Sequence, residues 1–415
     1  MTLPDVAVIG GGPAGMMAAG RAAELGASVL LLEKNSALGR KLLITGGGRC
    51  NVTNAELDAR TLASHYGAAR HALLSPFSKL SSSDALDWFA AHGMPTKTED
   101  GQRAFPADDQ AASVLNTLER YLRQGRVKLA LNREVLGLTA ENGAVTGVRT
   151  RQGVMTAGRY VLATGGTSHP ETGSTGDGFR WLAELGLRVR FPEPSLVPVA
   201  VREPWVADLS GLSFAEAGLG AWVGGSRLEY RTGKLLFTHF GLSGPLVLNF
   251  ATTLSLLRAQ TSRQGELGLR VDLFPRSDAR ALDRDLVERF AQQPGKKLRN
   301  ALTALIPPRL VGHVLAQAKA DGEKALAQVT RAERESLGDT LKGFTLTFRR
   351  LMDETRAVVS SGGLHHDEID WRTMTCKALP NLAVVGDLID INRPSGGYSL
   401  QLCWSTGWVA GTPSS

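Results

Sequence analysis

The chain has 415 residues, 43% apolar and 21% charged, which is the mix of a globular protein too long for a single hydrophobic core. Its three cysteines, Cys50, Cys376 and Cys403, are few, odd in number and without metal-ligand or redox-motif spacing, so no disulfide framework is expected and a reducing, cytoplasmic compartment is. No apolar run reaches the roughly 20 residues of a membrane span, and the glycine-rich stretch Val6 to Gly20 lacks the basic flank of a signal peptide. The formal net charge of +7 favours anionic partners, nucleic acid first among them, with a merely solvated basic surface as the alternative.

The chain opens on a β-α-β unit. Val6–Ile9 reads as a short apolar strand, a glycine turn follows, a helix runs from about Ala14 to Leu25, and Ser28–Leu32 is the second strand. Helices are expected at Asp84–Ala91 and about Gln110–Arg123. Strands are expected at Val127–Leu131, Val135–Leu138, Val145–Thr150 and Arg159–Ala163. Pro192, Pro194 and Pro198 mark a change of composition. Beyond them residues 195–275 read as β-rich, with candidate strands at Leu196–Val201, Leu235–Thr238 and Leu267–Leu273, and residues 278–336 as helical. Strands return after Phe344, among them Leu382–Val385, and an apolar helix extends through Ala410.

Gly10-Gly11-Gly12-Pro13-Ala14-Gly15 fits the dinucleotide fingerprint. Gly10 permits the turn, Gly12 lets a pyrophosphate approach the backbone, and Gly15 lets helix and strand pack. The helix N-terminus presents unpaired N–H groups to the phosphates. Glu33, followed by Lys34, closes the second strand where a carboxylate would accept ribose hydroxyls, which favours FAD or NAD over a 2′-phosphate ligand. Gly39-Arg40-Lys41 and then Gly46-Gly47-Gly48-Arg49-Cys50-Asn51 place backbone amides and three cations together, as a pyrophosphate or flavin edge requires; a flexible surface loop is the bland alternative. Val135, Thr164-Gly165 and Gly386-Asp387 lie at strand ends that return to a cofactor. Gly397 and Tyr398 open the final helix.

Other candidates have plainer explanations. His239 reads more readily as a buried structural histidine than as a catalytic one. His365-His366-Asp367-Glu368 has the composition of metal ligands, but adjacent residues rarely converge on one ion, so no metal is expected. Cys50 is the one candidate for a proton-donating side chain, in a loop already explained by cofactor binding.

The stretches GRKLLITGGGRCNVTN, ATGG, LFTHFGLSGP and TMTCKALPNLAVVGDLIDINRPSGGYSLQ together resemble the BaiN/RdsA-like (YhiN-like) family of FAD-dependent flavoproteins, over essentially the whole chain. That resemblance implies an α/β fold: a discontinuous Rossmann-type FAD-binding domain interrupted by a β-rich insertion and a small helical domain. The divisions would be 1–191 and 346–415 for the FAD domain, 192–275 for the β-rich insertion and 276–345 for the basic helical one. It also implies that Gly10, Gly12, Gly15 and Glu33 hold the adenosine half of non-covalent FAD. Arg40, Lys41, Gly47, Gly48, Arg49, Cys50 and Asn51 would line the central loop, and Thr164, Gly165, Asp387, Gly397 and Tyr398 would complete the flavin site. Family activities include reduction of a 23S rRNA uracil to dihydrouridine and reductive steps on bile acids. The chain departs from the family pattern at Thr375, Cys376 and Ser399.

Two function classes follow. One is an FAD-dependent oxidoreductase acting on an activated C=C bond, in an rRNA uracil or in a small enone of steroid type. The other is a non-catalytic FAD-carrying protein associated with RNA or the ribosome. For RNA, residues 276–350 hold fifteen Lys/Arg against nine Asp/Glu, with Lys296, Lys297 and Arg299 together. No second G-x-G-x-x-G follows Gly166, so NAD(P)H would act only as a transient reductant meeting the flavin directly.

Overall fold

The computed structural model describes residues 3–261, 265–353, 357 and 359–413. The chain forms two compact units, Met1–Ser195 with Glu354–Ser415, and Leu196–Asp353.

The first unit is built on a seven-stranded sheet. In spatial order its strands are 369–370, 375–376, 379–384, 159–162, 6–9, 29–32 and 128–130. Strand β1 (Val6–Ile9) is central and buried along its length, pairing in parallel with Arg159–Leu162 on one side and β2 (Val29–Leu32) on the other. A strand covered on both faces needs an unbroken apolar run, and Val-Ala-Val-Ile supplies it. Helix α1 (Pro13–Glu24) begins with proline at a position that has no intrahelical N–H bond to lose. It ends where Gly26, at φ +92°, lets its own N–H reach Ala23 O and that of Ala27 reach Ala22 O.

The C-terminal helix, Tyr398–Gly411, lies along α1. Two glycines one helical turn apart make this approach possible. A Cβ at Gly407 would stand 2.5 Å from Ala14 O, and one at Gly411 would stand 2.5 Å from Ala18 O. The last helix therefore presses on the start of the first, next to the glycine turn. A three-stranded antiparallel sheet, 135–141, 144–150 and 153–155, carries Val135 back toward the end of β2.

The second unit is a closed six-stranded barrel ordered 199–201, 241–243, 226–238, 213–223, 268–272 and 344–351. Five helices accompany it among the described residues: 245–261, 279–292, 298–302, 308–318 and 331–342. The β-rich and helical stretches distinguished in the sequence share one hydrophobic core in which Phe237, Phe250, Leu286, Leu310 and Phe344 are all buried. Within the stretch read as β-rich, helix Pro245–Thr261 lies between the candidate strands and was not anticipated. Leu246, Val247, Phe250, Ala251 and Leu254 are its buried positions, a 3-and-4 spacing that the apolar composition around it conceals. His239 stands exposed in the turn between two barrel strands, its ring 4.9 Å from that of Phe240, so it is not the buried histidine expected.

Candidate functional site

The glycine turn has three distinct surroundings. At Gly10, φ is +107° and a Cβ would lie 2.5 Å from Ala163 O; at Gly15 it would lie 2.0 Å from Gly10 O. Both are needed for packing. A Cβ at Gly12 meets nothing within 4 Å, because Gly12 faces an open cleft. Gly12 also caps α1 without a side-chain acceptor, so the first N–H groups of the helix keep their capacity for an anion.

The cleft encloses about 1250 Å³, its open mouth included, and Gly10 to Ala14 form one wall. Glu33 lines it at the end of β2. One carboxylate oxygen accepts the Gly11 N–H at 2.7 Å, and the other accepts Asn35 N–H at 2.8 Å and its side-chain amide at 2.7 Å. Lys34 reaches Thr175 at 2.6 Å and Asp177 at 3.1 Å, and Arg40 donates to Asn35 at 2.9 Å. Val135 and Arg133 lie along the same side.

The far end is polar and charged. Lys41 Nζ donates to Ser168 at 2.6 Å and lies 3.4 Å from Asp387. Arg393 holds the other oxygen of Asp387. Burial pushes the Asp387 carboxyl upward, but Arg393 and then Lys41 outweigh it and hold it below the ordinary aspartate value. Thr164 and Gly165 line the cleft where the strand Arg159–Leu162 ends, and the Thr164 hydroxyl is buried with no hydrogen-bond partner. Gly386 and Ser399 complete this end.

Part of the sequence-predicted site lies elsewhere. Gly46, Gly47 and Gly48 all have positive φ, and the loop they form turns Arg49 away from the cleft. Arg49 instead stacks 4.1 Å over Phe105 and pairs with Glu99 and Asp109. Cys50 is 0% exposed and outside the cleft lining, and burial pushes its thiol up to about 12. With its amide oriented to suit its neighbours, Asn51 donates to Thr53 O and Ala104 O and accepts from Gly397 N–H at 3.0 Å. Gly397 packs on Thr53, the Tyr398 ring lies tilted against that of His65 at 4.8 Å, and neither lines the cleft. Gly15 lies beneath the turn. The ligand atoms of His365, His366 and Asp367 lie within 4.8 Å of one another. They form a capped turn in which His365 accepts the Asp367 N–H. Arg133, Ser399 and Arg393 carry no motif that composition or spacing would have singled out.

The HI0933-like protein Rossmann domain model matches residues 4–413. The chain belongs to this family. Its first compact unit carries the Rossmann-type fold that this family model describes. It is 29% identical over 411 residues to a 3-dehydro-bile acid delta(4,6)-reductase of Clostridium scindens, covering 98% of each chain. It is also 29% identical over 407 residues to a ribosomal RNA dihydrouridine synthase of Escherichia coli, covering 98% of this chain and 96% of the relative. Its fold is similar to that of the 3-ketosteroid delta1-dehydrogenase of Sterolibacterium denitrificans, with TM-score 0.55, 15% identity and 98% of each chain covered. Among the described residues no helix is long and apolar enough to cross a membrane.

Proposed function

We propose that the cleft holds FAD and that the chain reduces an activated C=C bond in a uracil of large-subunit rRNA, in the cytoplasm. The observation that carries the cofactor assignment is the cleft itself, lined together by the open face of Gly12, the anchored Glu33 carboxylate and the Lys41–Asp387 pair. The donor set fits the group: an uncapped helix N-terminus for pyrophosphate, a carboxylate for ribose hydroxyls, and a paired lysine and aspartate for a polar chain.

FAD bound there would supply two-electron hydride chemistry. Gly12 to Ala14 would bind the pyrophosphate and Glu33 the adenosine ribose. Lys41 and Asp387 would orient the ribityl end, and Ile9, Leu32, Val385 and Leu400 exclude water from the cleft walls. NAD(P)H would serve as the transient reductant.

The RNA assignment is supported by charge. The unit Leu196–Asp353 contains 22 Lys/Arg against 16 Asp/Glu, an excess of six out of the whole chain's seven. A bile-acid-type enone is the second reading, favoured by a relative of equal identity. Flavin released by heat and chromatographed should be FAD; FMN, or no flavin after reconstitution, would sink the cofactor assignment. Dihydrouridine mapped in rRNA from a strain lacking the gene should be missing at one site. An unchanged map, with turnover of a steroid enone by the purified protein, would replace RNA by the small molecule.

A further inference from the structure

Among the described residues, Arg393 is the most completely buried cation of the first unit's ion pairs, its side chain only 1% exposed. A guanidinium removed from water costs several kcal/mol unless it is paired and its donors are used. Here each nitrogen has a partner: Nε donates to Ser399 Oγ at 3.0 Å, one terminal nitrogen to Ile391 O at 2.7 Å, and the other to Asp387. Two of the three partners, Asp387 and Ser399, line the cleft, whereas Arg393 itself does not. Arg393 therefore acts on the cleft from behind.

Lys41 approaches the same carboxylate from the cleft side. Two cations thus share one anion, leaving an excess of one positive charge at this wall. The first turn of the helix Tyr398–Gly411 supplies Ser399 and Leu400 to the same wall and adds the partial positive charge of its N-terminus. An electropositive wall favours the more negative of two ligand states. A flavin gains electrons on reduction, and its reduced ring readily exists as an anion.

We propose that Arg393 is a positioning residue of the cofactor cleft. It fixes Asp387 and Ser399 in place and gives the wall the excess charge that retains reduced flavin more tightly than a neutral wall would. This rests on the FAD assignment above.

The test measures FAD affinity of the apo-protein together with the midpoint potential of the bound flavin. Arg393→Met should weaken FAD binding at least tenfold. Its reduced form should lose at least a further tenfold relative to the oxidised form, which lowers the potential by about 30 mV for a two-electron couple. Arg393→Lys should keep the potential. Asp387→Asn should move it the opposite way, and Arg393→Met combined with Asp387→Asn should bring it back to the wild-type value, because the excess charge is then the same. If Arg393→Met lowers only Tm and leaves the ratio of the two affinities within threefold, Arg393 is a loop staple and the proposal is overturned. Should Arg393→Met not fold, Asp387→Asn decides: no upward shift overturns the proposal. A wild-type chain with no affinity for FAD overturns the cofactor assignment and this inference together, whereas normal binding with unmoved potentials overturns this inference alone.

Discussion

Glu33 accepts the backbone N–H of Gly11 at 2.7 Å, joining the end of β2 to the middle of the glycine turn. The bond explains how a carboxylate stays only 9% exposed beside a site proposed for phosphates: its charge is met by oriented N–H groups from Gly11 and Asn35. Glu33→Gln keeps the shape, loses the charge and turns a donor toward one of these N–H groups. FAD affinity, measured by titrating the apo-protein, should fall by about tenfold to a hundredfold, the range of a charge-assisted hydrogen bond. Unchanged affinity would separate Glu33 from the ribose.

The three surroundings of the turn glycines predict different failures. Gly12→Val adds a side chain to open space, so the apo-protein should fold with unchanged Tm and bind no FAD. Gly15→Val drives a Cβ to 2.0 Å from Gly10 O, so Tm itself should fall, by the equivalent of about 1–3 kcal/mol or more. Calorimetry and flavin titration on both variants check this. A Gly12→Val protein that saturates with FAD would show that the cleft is not the cofactor site.

Cys50, Cys376 and Cys403 are all buried, and burial pushes the Cys50 and Cys376 thiols up to about 12. The native protein should therefore resist thiol reagents at pH 8 and react fully only in denaturant. Cys50→Ala should retain turnover. A turnover loss of a hundredfold with normal flavin content would return Cys50 to the chemistry.

Glu333 caps the helix Arg331–Lys342 through Thr330 and accepts Lys324 at 2.8 Å. The Lys324 hydrogen bond, followed by the Thr330 backbone and hydroxyl bonds, lowers its carboxyl from 4.5 to about 2. A depressed carboxylate contributes stability above its unfolded value and loses it as pH falls through the folded one. Wild type should therefore lose this contribution between about pH 4.5 and 2, and Glu333→Gln should lack that part of the acid limb in chemical denaturation. Superimposable acid limbs would remove the cap from the account.

Local features were the legible ones. Gly10 to Gly15 and Glu33 belong to one strand-turn-helix-strand unit, so spacing alone carries their geometry. Lys41 and Asp387 come together only when the two ends of the chain share a sheet, and their motifs marked them individually but not as a pair. Arg393 gave no signal, because its meaning lies in burial behind Asp387. Cys50 is the reverse case: glycine and arginine neighbours mark a special loop but do not say which side faces a ligand. In the second unit, the strand Phe344–Leu351 pairs with Gly268–Val271 across four intervening helices, a closure that no local period encodes.

The basic insertion gives the most discriminating test of the RNA assignment, and the structure changes its terms. Lys297 and Arg299 both pair with Glu323 at 2.8 Å, and Lys296 donates to Gln293 at 3.0 Å. An RNA phosphate would have to displace Glu323 from the first two cations. Reversing all three cations to Glu should weaken binding of an rRNA fragment and flatten its salt dependence by about one to two units of slope, fewer than the three that free cations would give. Glu323→Gln should act oppositely, strengthening binding and steepening the slope, because it frees two cations without adding one. Flavin content should stay constant in both, since these residues belong to a different compact unit from the cleft. A neutral enone releases no counterions, so its turnover should be indifferent to both changes. Filter binding across a salt series, run beside enone turnover, decides between the substrates. If neither variant moves the slope, the excess charge of this unit is a solvated surface, and the RNA assignment loses its physical support in this chain.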